Sequence, residues 1–265
     1  MGALLERCAL DSTVLAARQN VITTYTGLAL TMDGTTLEDI EGCLLCQGPF
    51  DLSFCNFAIG FDLSADNPAA DETINVLAQA AEDNPGINLF HITGDRPDNL
   101  KGLLTDEGFE KRHELASLAW EGQCGEKVSL VQAVTLADRA AVGNFMTQTF
   151  FARGSRMMKE KIAFATSAAP HQLWYLGPIS DPIGAVMLVW LKDSIGIYNL
   201  CVAERHRHKG VGRQIVEQCK AISSHRGLLA VLQCELGLAP WYETAGFERI
   251  GSVESWRLSP GDFMI

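Results

Sequence analysis

No run of apolar residues in this 265-residue chain is long enough to cross a bilayer. The longest, Ile183 to Leu191 with one glycine inside, is under half of the roughly 20 residues that a spanning helix needs. The first residues, Met1 to Arg7, lack a basic start followed by an apolar stretch, and Glu6 stands where a myristoylation signal requires Ser or Thr. These absences predict a cytoplasmic protein with no membrane partner. Low-complexity tracts are also lacking; with 47% hydrophobic and 20% charged residues, the chain reads as globular, neither disordered nor fibrous. Positive charge is scarce: 21 Lys and Arg face 32 Asp and Glu, a net −11, which argues against nucleic acid as a partner. The eight cysteines, scattered and without a signal peptide, read as small apolar residues in a reducing compartment. Cys43 and Cys46 have the spacing of a metal or redox pair, but no second pair completes a zinc site. On a strand the two would point to opposite faces, so no metal is expected.

What is present is enough chain for two domains. Residues 1–126 hold six Lys/Arg and 21 Asp/Glu, a net −15, against 15 and 11, a net +4, in residues 127–265. The sign changes at Glu121-Gly-Gln-Cys-Gly-Glu126, a polar stretch with two glycines and no apolar period. The expected division is therefore 1–122 and 127–265. In the second part a strand is predicted over Val128–Val134 and helices over Leu136–Phe150 and Ser155–Thr166. An antiparallel meander of Gln172–Leu176, Ile183–Trp190 and Ile195–Ala203 follows. Then come a helix over Gly210–Ser224, a strand over Leu228–Leu232, a short helix at Ala239–Thr244 and a strand at Arg249–Trp256.

The first part repeats some of this order. Strands are predicted at Leu28–Met32, Gly42–Leu45 and Asp51–Phe61, and a helix from Glu72 after an Asp71 cap, with Ile74, Leu77, Ala78 and Ala81 on one face. Strand Ile87–Ile92, helix Asp98–Glu107 and strand Lys111–Leu118 follow. Asn56-Phe-Ala-Ile59 echoes Asn199-Leu-Cys-Val202, and Gly108-Phe109 echoes Gly246-Phe247, the mark of a weak internal duplication.

The stretch Val202-Ala-Glu-Arg-His-Arg-His-Lys-Gly-Val-Gly-Arg213 leaves a strand, crosses a basic loop and enters a helix through Gly210 and Gly212. Glycines there remove the Cβ atoms that would block close approach, so backbone N–H groups at the positive helix end can face a diphosphate. A lone Gly-x-Gly after a basic turn is also how an ordinary helix can start. It is not a Walker loop, because no Gly-Lys-Ser/Thr follows. The third glycine and parallel βαβ setting of a dinucleotide fingerprint are absent as well.

Arg207-His208-Lys209-Gly210-Val211-Gly212 resembles the R/Q-x-x-G-x-G/A signature of the GNAT acyltransferases. About 30 residues on, Tyr242-Glu-Thr-Ala-Gly-Phe247 looks like that family's Y-x-x-x-G-F hallmark, and the resemblance covers about Val128 to Trp256. It implies a mixed α/β, or α+β, architecture: two GNAT-like domains, each a largely antiparallel sheet flanked by helices. It also implies an N-acetyltransferase that moves an acetyl group from acetyl-CoA, as co-substrate, to a primary amine by direct attack in a ternary complex. By position, Leu200, Cys201 and Val202 would offer backbone groups to the pantetheine arm. Arg207, His208, Lys209, Gly210, Val211 and Gly212 would hold the pyrophosphate, with Arg213 within reach of a phosphate.

Tyr242 would protonate the departing thiolate, or else is simply a packed aromatic. Glu235, where many members carry Asn or Ser, is the preferred general base; a solvated turn carboxylate is the plainer reading. An acyl-cysteine route through Cys201 or Cys234 finds nothing in the sequence to activate either thiol. The loop Asp62–Asp71 of the first part has no glycine, Lys or Arg and three aspartates, and Leu104 stands at the place of Tyr242. Residues 1–122 are therefore expected to be a degenerate copy that binds no CoA and that packs, shapes the acceptor cleft or forms a homodimer contact. The acceptor is expected to be a small-molecule or protein amine. The alternative function is a non-catalytic acyl-CoA sensor or assembly module.

Overall fold

A computed structural model describes residues 2–49, 52, 54–63 and 69–259 of the chain. The first half contains α1 (Gly2–Ala29), β1 (Thr36–Asp39), β2 (Leu44–Gln47), β3 (Asn56–Ile59), α2 (Ala69–Asp83), β4 (Asn88–Ile92), α3 (Leu100–Asp106) and β5 (Phe109–Trp120). The second contains β6 (Val131–Gln132), α4 (Leu136–Phe150), α5 (Arg156–Ala168), β7 (Gln172–Leu176), β8 (Gly184–Trp190), β9 (Ser194–Val202), α6 (Val211–Ser224), β10 (Leu229–Glu235), α7 (Ala239–Glu243) and β11 (Glu248–Leu258). Among the described residues the strands form one sheet in the order β1-β2-β3-β4-β11-β5-β10-β9-β8-β7-β6. Its pairings are antiparallel except β3 with β4 and β9 with β10. The mixed, largely antiparallel architecture expected from the sequence is therefore present.

Local chemistry accounts for some of the element boundaries. Thr135 and Ser155 cap α4 and α5, their hydroxyls accepting from the N–H of Asp138 and Met158. On α6 the stripe Ile215, Cys219 and Ile222 is buried against Leu188, Ile197 and Leu232 of the sheet. β8 is buried on both faces: Val186 and Leu188 meet the α6 side, while Ala185, Met187 and Val189 meet Val142 and Met146 of α4. That is why its sequence is a continuous apolar run and does not alternate.

The order of strands holds a feature that no local pattern revealed. β11, the last strand of the second half, lies between β4 and β5 of the first. Reciprocally β5, the last strand of the first half, lies between β10 and β11. β5 and β11 pair with each other from Glu248↔Ala119 to Leu258↔Phe109, while β5 also pairs with β10 and β11 with β4. Each half thus completes its sheet with a strand from the other. The two strands open on the same dipeptide: Gly108 and Gly246 have φ of 83° and 85°, and the phenylalanines that follow are buried.

Three readings of the sequence are corrected. Leu28–Met32 is not a strand: Leu28 and Ala29 end α1, and residues 30–34 form turns and a bend. A short apolar run does not by itself distinguish strand from buried helix, and here the preceding residues 3–26 contain neither Gly nor Pro to end the helix. Asp71 lies in the first turn of α2, which begins two residues earlier, so it is not the cap. The alternation over Val128–Val134 yields only the two-residue β6, whose sole partner in the sheet is β7.

α1 was missed altogether. It crosses the sheet on the face opposite α6, with Ala17 buried against Ala119 and Val231. Asn20 is fully buried and satisfied. Its Nδ2 donates to the Val189 carbonyl and to Ser194 Oγ at 3.2 and 3.0 Å, and its Oδ1 accepts from the Tyr198 hydroxyl at 3.1 Å.

At the junction of β4 and β11, His91 is half-buried, and its Nδ1 lies 3.6 Å from a Glu254 carboxylate oxygen without a hydrogen bond among the described residues. Burial, reinforced by the Lys101 ammonium and opposed by Glu254, lowers its pKa to about 4. The imidazole is neutral in the folded state, so its contribution to stability is complete above the ordinary histidine value. It is lost as pH falls toward 4, by about 3 kcal/mol in all. Asp95 acts oppositely: burial raises its pKa to about 6 in spite of the Ile92 N–H and Arg18, so its contribution fades as pH rises from about 4 to about 6. His91→Gln is therefore expected to gain stability relative to wild type as pH is lowered from 6.5 to 4, measured by denaturant titration. A constant offset would show that His91 does not titrate in this way.

Candidate active site

β9 and β10 run parallel and paired from Ser194↔Leu229 to Ile197↔Leu232, and there the pairing stops. Beyond it β9 continues to Val202 bonded only to β8, and β10 continues to Glu235 bonded only to β5. The divergence begins beside an irregularity: Asn199 has φ of 50°, and the β8–β9 register shifts between Ala185↔Cys201 and Met187↔Tyr198. The result is a wedge between two strands. On its β9 side the backbone of Leu200, Cys201 and Val202 has no partner strand.

The open end of the wedge leads to α6. A 3₁₀ turn over Glu204–His206 follows β9. Then His208 at φ 60° and Gly210 at φ 80° turn the chain into the helix. The N–H groups of His206 and Arg207 are bonded to Ala203 and Glu204, and that of Gln214 to Gly210. Among the described residues the six N–H groups from His208 to Arg213 donate to no backbone carbonyl, and they gather at the positive end of a 14-residue helix. Arg207, His208 and Lys209 are exposed beside them. A Cβ on Gly212 would sit 3.8 Å from the Trp241 ring, so there is space over this turn. Backbone donors, a helix end, cations and an adjoining wedge together fit a diphosphate on an extended arm.

Two of the cations are partly engaged. Arg207 Nε donates to the Val202 carbonyl at 3.3 Å. Arg213 points along the helix, bonded to Glu217 at 2.9 Å and to the carbonyl and hydroxyl of Thr244 at 3.0 and 3.3 Å, and so ties α6 to the end of α7.

Tyr242 lies on α7, edge-on to Trp241 and Phe247 and packed against the core beneath α6. Burial, with a smaller contribution from the Cys234 and Cys219 thiols, raises its pKa well above that of a free phenol, so the hydroxyl keeps its proton. Burial likewise drives Cys201 to about 12 and Cys234 to about 11, leaving no appreciable thiolate at either. Cys43 and Cys46 are buried in separate core clusters, consistent with opposite faces of the sheet. Glu235, the last residue of β10, is exposed and pairs with His113 of β5 at 3.2 Å. His113 was not among the residues singled out in the sequence, because only the exchange of β5 brings it to the end of β10.

The corresponding place in the first half is closed. Past β3 and β4 the chains stay joined: Arg96 N–H donates to the Phe61 carbonyl, and Leu63 N–H to the Arg96 carbonyl. Arg18 of α1 reaches into the same place, bonded to the Phe61 carbonyl at 2.9 Å and to the buried Asp95 at 2.6 Å. Leu104 is fully buried in α3. Residues 64–68 of the acidic loop lie outside the described residues.

Residues 169–249 match the family model described as "Acetyltransferase (GNAT) domain". No curated protein matches the chain. Among solved structures, a GCN5-related N-acetyltransferase from Kribbella flavida is similar at a TM-score of 0.65 and 12% identity, over 94% of this chain and 97% of that one. One from Sphaerobacter thermophilus is similar at 0.56 and 11% identity, over 83% and 82%. A tandem GNAT protein from the clavulanic acid biosynthesis pathway is similar at 0.56 and 10%, over 87% and 86%. At such identities the likeness is one of fold. The chain thus has the GNAT fold over most of its length, and its residues 169–249 match the GNAT acetyltransferase domain model.

Proposed function

We propose that the second half is an N-acetyltransferase that passes the acetyl group of acetyl-CoA to a primary amine by direct attack. The observation that carries this reading is the wedge between β9 and β10 opening onto six unbonded N–H groups at the start of α6. An arm of alternating amides can pair with the backbone of Leu200 to Val202. The N–H groups from His208 to Arg213 can meet its diphosphate, with Arg207 and Lys209 as nearby counter-charges. Tyr242 supplies the proton for the departing thiolate, a role for which a phenol held protonated by burial is suited. Glu235, paired with His113, belongs to the base, and the raised thiol pKa values speak against a covalent acyl-cysteine. The first half binds no CoA in this reading, since Arg18 and the Phe61–Arg96–Leu63 hydrogen bonds occupy the equivalent wedge.

Tyr242→Phe is expected to lower amine-dependent thiol release about 100-fold with acetyl-CoA affinity unchanged by calorimetry. Binding without any amine-dependent release, unaffected by this substitution, would instead identify an acyl-CoA sensor.

A further inference from the structure

We propose that the first half completes the active site: the acceptor amine binds in the cleft between β5 and the turn that follows β10, and the His113–Glu235 pair takes its proton. This rests on the acetyl-transfer reading above and extends it to the acceptor.

The cleft has a volume of about 380 Å³, with residues 111–114 of β5 on one side and Glu235, Leu236 and Gly237 on the other. Its walls therefore come from both halves and meet only because β5 is inserted beside β10. Within it most charges already have partners. Lys111 is bonded to Glu114 at 3.0 Å, Arg112 to Glu110 at 3.1 Å, and Arg249 reaches Glu114 at 3.4 Å. Among the described residues Glu235 has one ionic partner, His113 Nε2 at 3.2 Å. With that N–H donated to the carboxylate, the ring presents Nδ1 as proton acceptor, and the carboxylate stabilises the imidazolium that forms.

A second observation points the same way. Gln233 lies two residues before Glu235 on the same face of β10, directly opposite Ser117 of β5. Both amide atoms of Gln233 and the hydroxyl of Ser117 are buried without a hydrogen bond among the described residues. Unmet donors and acceptors of this kind cost stability and suit a neutral polar group on the acceptor. The class of acceptor is thus a primary amine that also bears a hydroxyl or amide, such as an amino alcohol.

In the reaction His113 Nδ1 removes one proton from the ammonium, and the freed lone pair forms the C–N bond at the thioester carbonyl. The second amine proton leaves to water as the C–S bond breaks and sulfur takes the Tyr242 proton. The phenolate is reprotonated from solvent and the imidazolium releases its proton there. The products are the amide, CoA thiol and one net proton.

The test uses the full chain, acetyl-CoA, and two nucleophiles read by thiol release. Ethanolamine is an ammonium at neutral pH and needs a base, whereas hydroxylamine is unprotonated and does not. His113→Gln is expected to lower kcat with ethanolamine about 100-fold and with hydroxylamine at least tenfold less than that. Added imidazole is expected to restore part of the ethanolamine rate in His113→Ala. Gln233→Leu is expected to raise the KM for ethanolamine about tenfold, toward that of ethylamine, which has no hydroxyl. Equal losses with both nucleophiles, no loss, or no ethanolamine-dependent release from a protein that binds acetyl-CoA would overturn this inference and leave the cofactor assignment standing. Absence of acetyl-CoA binding in wild type by calorimetry would remove the acetyl-transfer reading and this inference together.

Discussion

Gly212→Glu is expected to weaken acetyl-CoA binding about 100-fold while leaving the protein folded. Gly212 is the second residue of α6, at the centre of the six unbonded N–H groups. A carboxylate there meets the diphosphate at the point where the helix end favours a negative ligand, and it competes for the same N–H donors. Loss of one or two charge-assisted hydrogen bonds, at roughly 1.5–3 kcal/mol each, is enough for that factor. Steric damage is small, since the nearest atoms a Cβ at this position would meet are the Trp241 ring and Val202, at 3.8 and 3.9 Å. Gly212→Ala separates the two causes, because it adds the Cβ without the charge and is expected to bind within about tenfold of wild type. Calorimetry with acetyl-CoA, alongside a melting curve, measures both. Unchanged affinity in the Glu variant would mean that the diphosphate lies elsewhere.

Residues 1–122 and 127–265, produced separately, are expected to lack a cooperative thermal transition, whereas co-expression of the two is expected to restore it. The second fragment alone has no strand to set between β10 and β11, and the first has none to set between β4 and β5. From β5 the missing side chains include Ala116 and Leu118, both fully buried, and Trp120, which lies under the Lys220 ammonium at 4.9 Å. From β11 they include the buried Val253 and Trp256. Burial of a large apolar side chain contributes roughly 1.5–3 kcal/mol, so two or three such losses, with two exposed sheet edges, match the whole stability of an ordinary domain at the low end of about 5–15 kcal/mol. Circular dichroism and size-exclusion chromatography would decide the matter. A folded monomeric 127–265 would mean that its sheet closes without β5.

Where a residue's position depends on its neighbours in sequence, it was legible. The 3.6-residue stripe of α6 and the turn from β9 into α6 follow from side-chain size, φ preference and hydrogen bonding within a few residues. The glycines of the turn into α6 could be read for the same reason. What was missed depends on distant partners. α1 has an apolar pattern too diffuse to mark a face, and it is held by contacts such as Asn20 with Val189 and Ser194, some 170 residues away. His113 and Ser117 sit on a strand that the sequence places, but nothing within that strand says that Glu235 and Gln233 will stand beside them. Leu28–Met32 failed because so short a run, four apolar residues and a threonine, fits either period.

The exchange of β5 and β11 also sets an order of events. β4 ends at Ile92, and the strand that must lie against it begins at Glu248, more than 150 residues later. During synthesis the first half therefore waits, with one edge of β4 and both edges of β5 without their partners, until β10 and then β11 have emerged from the ribosome. Contacts so far apart in sequence form late and slowly, and unpaired edges attract other strands meanwhile. The slow step in folding is then expected to be the insertion of β11, and the interval before it is when this protein is most open to aggregation and most in need of a chaperone.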